Sequence, residues 1–67
     1  MKENQEVQIL RFIDANGSIS SMEAFEHLHI TRLAARIHDI ERHGVVIDRE
    51  TVRTDNGTRF TRYRRAN

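Results

Sequence analysis

The stretch ITRLAARIHDIERHGVVI, residues 30–47, begins with the spacing of a helix and ends with the composition of a strand. Apolar side chains recur in it at Leu33, Ala34, Ile37 and Ile40, which predicts a helix with one buried stripe. Thr31 is placed to cap this helix and Gly44 to end it. The opposite face carries arginines beside the small residue Ala35, which leaves room for a partner to approach.

The length and composition limit the fold. Sixty-seven residues make a single domain, residues 1–67, with a core near the lower limit of independent stability. Cysteine is absent, so disulfides and zinc–thiolate sites are excluded. No apolar run approaches the ~20 residues that span a bilayer, and no signal-peptide pattern opens the chain. We therefore expect a cytoplasmic protein with no membrane association.

Basic side chains are concentrated in the second half of the chain. Residues 1–31 hold two basic and five acidic side chains, whereas residues 32–67 hold nine arginines and five acids. Arginine is the basic residue best suited to bidentate contacts with phosphates and guanines. A solvated charged surface is the alternative, but solubility alone does not require this concentration. The asymmetry favours a nucleic-acid partner.

Two more helices are predicted before residue 30. Residues 5–14 have the spacing of an amphipathic helix, which Asn16-Gly17 stops. The segment at 18–20 is too short for an independent strand, but it can add to the edge of a sheet. Ser20 and Glu23 have the spacing of a capping box for a second helix at about 21–28. The side chains expected to face inward from this helix are Ala24, Phe25 and Leu28.

After Gly44 the pattern changes to that of a β-hairpin. Residues 45–54 are rich in β-branched side chains, TDNG at 54–57 is a strong turn signal, and 58–64 form the returning strand. Phe60 and Tyr63 are three residues apart and so point to opposite faces, with Tyr63 expected inside. The predicted core comprises Leu10, Ile13, Leu28, Ile30, Leu33, Ile37, Ile40, Ile47 and Tyr63.

Helix–turn–helix followed by a hairpin resembles the winged helix-turn-helix family, and in particular the small domains common in phages and prophages. The resemblance covers about residues 5–64 and rests on the junction of the second and third helices, the Gly44 stop and the Asn56-Gly57 turn. It implies an α+β fold of three helices with a C-terminal β-hairpin wing. It also implies that the third helix enters the DNA major groove and that the wing lies on the backbone or in the minor groove.

Carried over residue by residue, the resemblance assigns DNA-binding positions on two elements. On the third helix they are Thr31, Arg32, Ala35, Arg36 and Asp39, and on the wing Arg53, Thr54, Asn56, Thr58 and Arg59, to which Arg62 is added as a phosphate-neutralising arginine. Many relatives have glycine where this chain has His29, so His29 is expected to adopt a positive φ. Asp39 would be repelled by phosphates, but it can accept a hydrogen bond from cytosine.

Each group of candidate residues also admits a bland structural interpretation. Arg32 and Arg36 could form a solvated face, with Arg36 paired to Asp39 or Glu41, and 59–65 could be a basic tail. Ser20 is interpreted as a cap and not as a nucleophile, because no base lies at a suitable spacing. The histidines have no recognised metal-ligand spacing and there is no glycine-rich phosphate loop. We therefore expect no metal, no cofactor and no enzymatic activity.

Two classes of function remain at this point. The favoured class is a regulator that binds double-stranded DNA, either a phage-type transcriptional regulator or an excisionase-like recombination factor. A domain of this size reads few base pairs, so we expect a homodimer or a cooperative array on DNA. The alternative is a protein-interaction module that binds or inhibits a host protein. The arginine-rich second half favours DNA.

Overall fold

A computed structural model describes residues 4–66 as three helices and a three-stranded antiparallel sheet. The elements are α1 (Gln5–Asn16), β1 (Ile19–Ser20), α2 (Ser21–Leu28), α3 (Leu33–Arg42), β2 (Ile47–Arg53) and β3 (Arg59–Arg65). The strand order is β1-β3-β2, so the short first strand adds to the edge of the C-terminal hairpin. The predicted α+β arrangement of three helices with a C-terminal hairpin is confirmed.

The ends of α1 and α2 follow the local sequence signals. Gly17 ends α1 in the left-handed conformation, with φ of 93°. At the start of α2, the Glu23 amide donates to the Ser20 hydroxyl at 3.3 Å, and the Ser20 amide donates to the Glu23 carboxylate at 3.0 Å. His29 follows α2 with φ of 58°, the positive value expected of it. The predicted capping box and the predicted left-handed turn are both confirmed.

The start of α3 differs from the prediction. Arg32, not Thr31, is the N-cap residue, and no side chain caps the helix. The chain is still turning after His29, so the first helical residue is Leu33. The other end is as predicted, because Gly44 has φ of 96° and its amide donates to the Glu41 carbonyl at 3.0 Å.

A single core lies between the helices and one face of the sheet. It consists of Ile9, Ile13, Ile19, Ala24, Ile30, Leu33, Ile37, Ile40, Ile47 and Tyr63. Most of these residues were predicted, but Ile9 and Ile19 were not. Leu10 and Leu28, which were predicted to be buried, are half-buried and pack against the rim of the core.

Two apolar residues that were predicted to face inward are exposed. Ala34 lies one position past the buried stripe of α3, about 100° around the helix from Leu33, and nothing covers that flank. Phe25 has the same relation to the buried Ala24 on α2, and 57% of its surface is exposed. Both predictions were wrong because helices this short bury only one narrow stripe.

The hairpin register places Tyr63 at the centre of the sheet. Tyr63 pairs with Ile19 of β1 on one side and with Arg49 of β2 on the other. Its side chain is buried, while Phe60 is half-exposed on the opposite face, as the three-residue spacing predicted. The segment at 18–20 therefore does add to the sheet edge. No helix within residues 4–66 is long and apolar enough to cross a membrane.

Candidate nucleic-acid interface

The exposed surface of α3 consists of two neighbouring stripes. The first faces directly away from the core and contains Ala35, His38 and Arg42, all exposed and spaced three and four residues apart. The second stripe lies beside the first and contains three of the predicted residues, Arg32, Arg36 and Asp39. His38 and Arg42 share this outward face with Ala35 but were not among the predicted DNA-binding positions, although helical spacing from Ala35 places them there.

Arg36 is held in place on this surface by its neighbour. Its Nη2 lies 3.1 Å from the Asp39 Oδ2, one helical turn away. Its Nε is buried and has no hydrogen-bond partner. The alternative acid, Glu41, pairs instead with Arg49 of β2 at 2.7 Å. The Arg36 guanidinium is thus paired with Asp39 in the free protein, and both side chains remain partly exposed.

The tip of the wing is a tight three-residue loop. The Thr54 amide donates to the Thr58 carbonyl at 2.8 Å, and the Gly57 amide donates to the Thr54 carbonyl at 3.0 Å. Gly57 has φ of 87°, as a type I turn followed by a left-handed residue requires. The Thr54 hydroxyl contacts the Asn56 side chain and accepts from the Thr58 amide. Three of the predicted wing residues therefore shape the tip.

Arg53 and Arg59 lie directly opposite each other at the base of this loop, on the same face of the sheet. Both are exposed, and neither has an acidic partner within residues 4–66. Like charges that face each other across two strands destabilise the pair. An anion bound between the two guanidinium groups would relieve this repulsion.

Arg62 has a different environment from the other predicted wing arginines. Its Nη1 donates to the Ser18 hydroxyl and to the Glu23 Oε1, both at 2.9 Å. Its guanidinium also lies over the Phe60 ring, 5.7 Å from the centroid. Arg62 therefore connects β3 to the start of α2, and its charge is already balanced by Glu23.

These contacts also lower the pKa of two glutamates. Desolvation by burial alone would raise the pKa of Glu23, but the hydrogen bond from the Ser20 amide and the charge of Arg62 outweigh it. The pKa of Glu41 is lowered chiefly by its hydrogen bonds from Arg49. Both carboxylates are consequently ionised at neutral pH and neutralise the arginines beside them.

Across the described residues, the arginines fall into two groups. The paired group is Arg36–Asp39, Arg49–Glu41, Arg62–Glu23, Arg64–Glu50 and Arg65–Asp14. Arg11 on α1 is engaged as well. Within residues 4–66, the arginines without an acidic partner are Arg32, Arg42, Arg53 and Arg59. All four lie at the ends of α3 or at the tip of the wing.

A separate apolar surface lies between α2 and the wing. A cleft of about 390 Å³ is lined by residues of both elements, among them Met22, Glu26, Thr58 and Phe60. Met22 is 69% exposed, and the exposed Phe25 lies one turn further along α2. Arg62 in the cleft lining is paired with Glu23, and Glu26 adds a further carboxylate, which makes the cleft unsuitable for phosphate. Among residues 4–66, no group of three or more histidine, aspartate or glutamate side chains is placed to hold a metal ion.

Comparison with known proteins gives one result. A family model described as a winged helix-turn-helix domain matches residues 4–66. No curated protein and no solved structure matches the chain. The matched range spans all three helices and the whole hairpin.

Proposed function

This chain belongs to the winged helix-turn-helix family, a family of DNA-binding domains, and we propose that it is a sequence-specific regulator that acts on double-stranded DNA. In this proposal α3 enters the major groove and the wing contacts the backbone or the minor groove. The biological role is that of a phage-type transcriptional regulator or of an excisionase-like recombination factor, and the protein is not an enzyme.

The observation that carries this proposal is the position of the unpaired arginines. Arg32 and Arg42 lie at the two ends of α3, and Arg53 and Arg59 lie at the wing tip. An exposed guanidinium without an acidic partner can neutralise a phosphate with little loss of existing contacts. The two elements that would touch DNA are thus the ones that keep free positive charge.

Different residues of this surface have different proposed roles. Arg53 and Arg59 contact phosphates, whereas Arg36 reads a base and Ala35 lets the helix approach the floor of the groove. Thr54, Asn56 and Thr58 act through the shape of the tip, and Thr31 and Arg32 contact the backbone beside the start of α3. We leave Arg62 out of the contact set, because Glu23 and Ser18 already bind its guanidinium.

A salt titration tests this division. Binding of a duplex is measured at several salt concentrations for the wild type, Arg53→Ala and Arg59→Ala. Each substitution should weaken binding to all sequences alike and flatten the plot of log affinity against log salt by about 0.9. Arg36→Ala should instead cost about 1–3 kcal/mol at its preferred site and relax selectivity at one base position.

Arg64→Ala is the matched control for the wing variants. Arg64 is an exposed arginine of the same hairpin, but it is paired with Glu50 at 3.3 Å. Its replacement should leave the salt slope at the wild-type value. If Arg36→Ala, Arg53→Ala and Arg59→Ala all leave both the salt slope and the affinity unchanged, DNA binding through α3 and the wing is ruled out.

A second candidate function is supported by the cleft between α2 and the wing. Exposed Met22 and Phe25 beside this cleft would suit the apolar side chains of another protein, as the interaction-module alternative requires. Replacing both with serine should leave DNA affinity intact if DNA is the partner. A protein that shows no saturable DNA binding at moderate salt would favour a host protein as the partner instead.

A further inference from the structure

We infer that Asp39 is a positioning residue, which holds the Arg36 guanidinium so that its outer edge can bind a guanine. This inference rests on the proposed function and deepens it, because it names the base that Arg36 recognises. It also gives Asp39 a role other than the direct cytosine contact that an acid on a reading helix can make.

Arg36 and Asp39 form an ion pair on one flank of α3. Asp39 follows Arg36 by three residues, so both side chains lie on the same flank of α3. The Arg36 Nη2 is 3.1 Å from the Asp39 Oδ2, and the two side chains are 38% and 31% exposed. Both are thus accessible from the groove side but partly packed, which restricts the conformations open to the arginine.

The N–H groups of the Arg36 guanidinium differ in their surroundings. A guanidinium has one N–H on Nε and two on each terminal nitrogen. Nε is buried and out of reach of a ligand, and Nη2 faces Asp39 on one side. The edge formed by Nη1 and Nη2 carries the remaining N–H groups, and in the proposed complex this edge faces the groove. Two parallel N–H groups on that edge match the O6 and N7 acceptors of guanine.

The Arg36–Asp39 pair combines one positive and one negative charge. Asp39 neutralises Arg36, so the two together attract phosphate less than the unpaired Arg53 or Arg59 does. A fixed and neutralised guanidinium has little advantage on the backbone, but it loses less conformational freedom when it binds a base edge. Ala35 beside it has no side chain that would block this approach.

The experiment selects duplexes from a randomised pool with the wild type, Arg36→Ala, Asp39→Asn and the double variant. The wild-type site should contain a guanine whose selection is lost in Arg36→Ala, with a loss of affinity of about 5- to 150-fold for that site. Asp39→Asn should weaken selection at the same guanine and at no other position. In the double variant, the Asp39 change should add nothing to the effect of Arg36→Ala.

A modified base gives an independent readout. A duplex with 7-deazaguanine at the selected position lacks the N7 acceptor. This change should reduce wild-type affinity several-fold and should have a smaller effect on Asp39→Asn, whose Arg36 is no longer aligned. Asp39→Glu keeps the carboxylate and should restore part of the selectivity.

Asp48→Asn controls for the loss of a negative charge. Asp48 is exposed on β2 and has no ion-pair partner within residues 4–66. This variant should keep the full preference for guanine. Thermal melting of Asp39→Asn tests whether the domain is folded, and a fold defect would reduce binding to all sequences and not the guanine preference alone.

Two results would overturn the inference, and they differ from failure of the proposed function. If Asp39→Asn changes selection at a different base pair, Asp39 contacts a base itself. If Asp39→Asn leaves the selected site unchanged, the ion pair has no part in recognition. In both cases the wild type still selects a site, whereas failure to enrich any sequence with the wild type would refute DNA reading as a whole.

Discussion

At the scale of single residues, Glu23 joins two parts of the structure. Its carboxylate accepts hydrogen bonds from the Ser20 amide at the start of α2 and from Arg62 on β3. One side chain therefore caps a helix and fastens that helix to the sheet. Because both contacts favour the ionised form, the pKa of Glu23 lies below its ordinary value.

This lowered pKa predicts loss of stability in acid. A carboxyl whose pKa is lower in the folded state contributes stability above its unfolded pKa of 4.5, and the contribution is lost as the pH falls through the folded value. The free energy of unfolding, measured by denaturant titration, should therefore decrease as the pH falls below about 4.5.

Glu23→Gln tests which carboxylate is responsible. The variant should be less stable than the wild type at pH 7 and should lose less stability on acidification. It should retain some acid sensitivity, because the pKa of Glu41 is lowered as well. Glu26→Gln, an exposed change on the same helix, should behave as the wild type. A wild-type response in Glu23→Gln would contradict the assignment.

The buried stripe of α3 gives a second prediction at this scale. Ile37 is fully buried and Leu33 is 2% exposed. Replacing either with alanine should destabilise the domain by about 2–5 kcal/mol, because the surrounding side chains cannot fill the cavity. Val46→Ala is the control, since Val46 is 61% exposed and should change stability by only ~0.5 kcal/mol. Equal melting of Ile37→Ala and the wild type would show that the stripe is not the core.

At the scale of elements, the junction of α2 and α3 is decided by one left-handed residue. His29 ends α2 with φ of 58°, and the next residue, Ile30, is buried. The amide of Ile30 donates back to the Ala24 carbonyl at 3.0 Å. This turn directs the chain into the core and sets the angle at which α3 leaves α2.

Substitutions at His29 should change stability in opposite directions. A side chain in the left-handed region costs about 1–2 kcal/mol relative to a right-handed conformation, and glycine avoids most of this cost. His29→Gly should therefore raise the free energy of unfolding by about 0.5–1 kcal/mol, and His29→Val should lower it by about 1–2 kcal/mol. Gly44→Ala is the reciprocal control and should be destabilising, although a Cβ there would meet no neighbouring atom. Equal stability of the glycine and valine variants would contradict the positive φ.

At the scale of the whole molecule, the arginines of residues 4–66 that lack an acidic partner are confined to α3 and the wing. Glu23, Glu41 and Asp14 neutralise arginines on β2 and β3, while the ends of α3 and the wing tip keep their positive charge. The hairpin projects from the helical body, which contributes to the long axis of 41 Å against 24 and 21 Å for the other two. Free positive charge on both elements suits contact with the phosphates of a duplex.

The size of this surface leads to a prediction about assembly. One domain of this type buries about 600–1,000 Å² on DNA and reads few base pairs. We expect two or more protomers on each specific site, as a homodimer or a cooperative array, with α1 or the wing as the contact between them. Sedimentation velocity with a labelled duplex measures this stoichiometry. A single protomer bound with nanomolar affinity would contradict the expectation.

The order of the elements and most of their ends were determined by the sequence alone. The Ser20–Glu23 capping box, the glycines at 17, 44 and 57 and the alternation around Tyr63 act over a few residues, so they can be read without knowing the fold. The left-handed conformation of His29 was predicted from the resemblance instead, because many relatives have glycine at this position. Local signals are reliable here because each one satisfies backbone groups that lie within the same turn.

The state of most arginines was decided only by the tertiary structure, the local Arg36–Asp39 pair being the exception. Arg62 meets Glu23 from 39 residues away and Arg65 meets Asp14 from 51 residues away, so no spacing in the sequence indicates these pairs. Arg53 and Arg59 look the same as Arg62 in the sequence, but they lie beyond the reach of any acid in residues 4–66. The exposure of Phe25 and Ala34 likewise depends on which flank of a short helix the other elements cover. These properties depend on packing between elements that are distant in the sequence. The order of residue types along the chain carries no information about that packing.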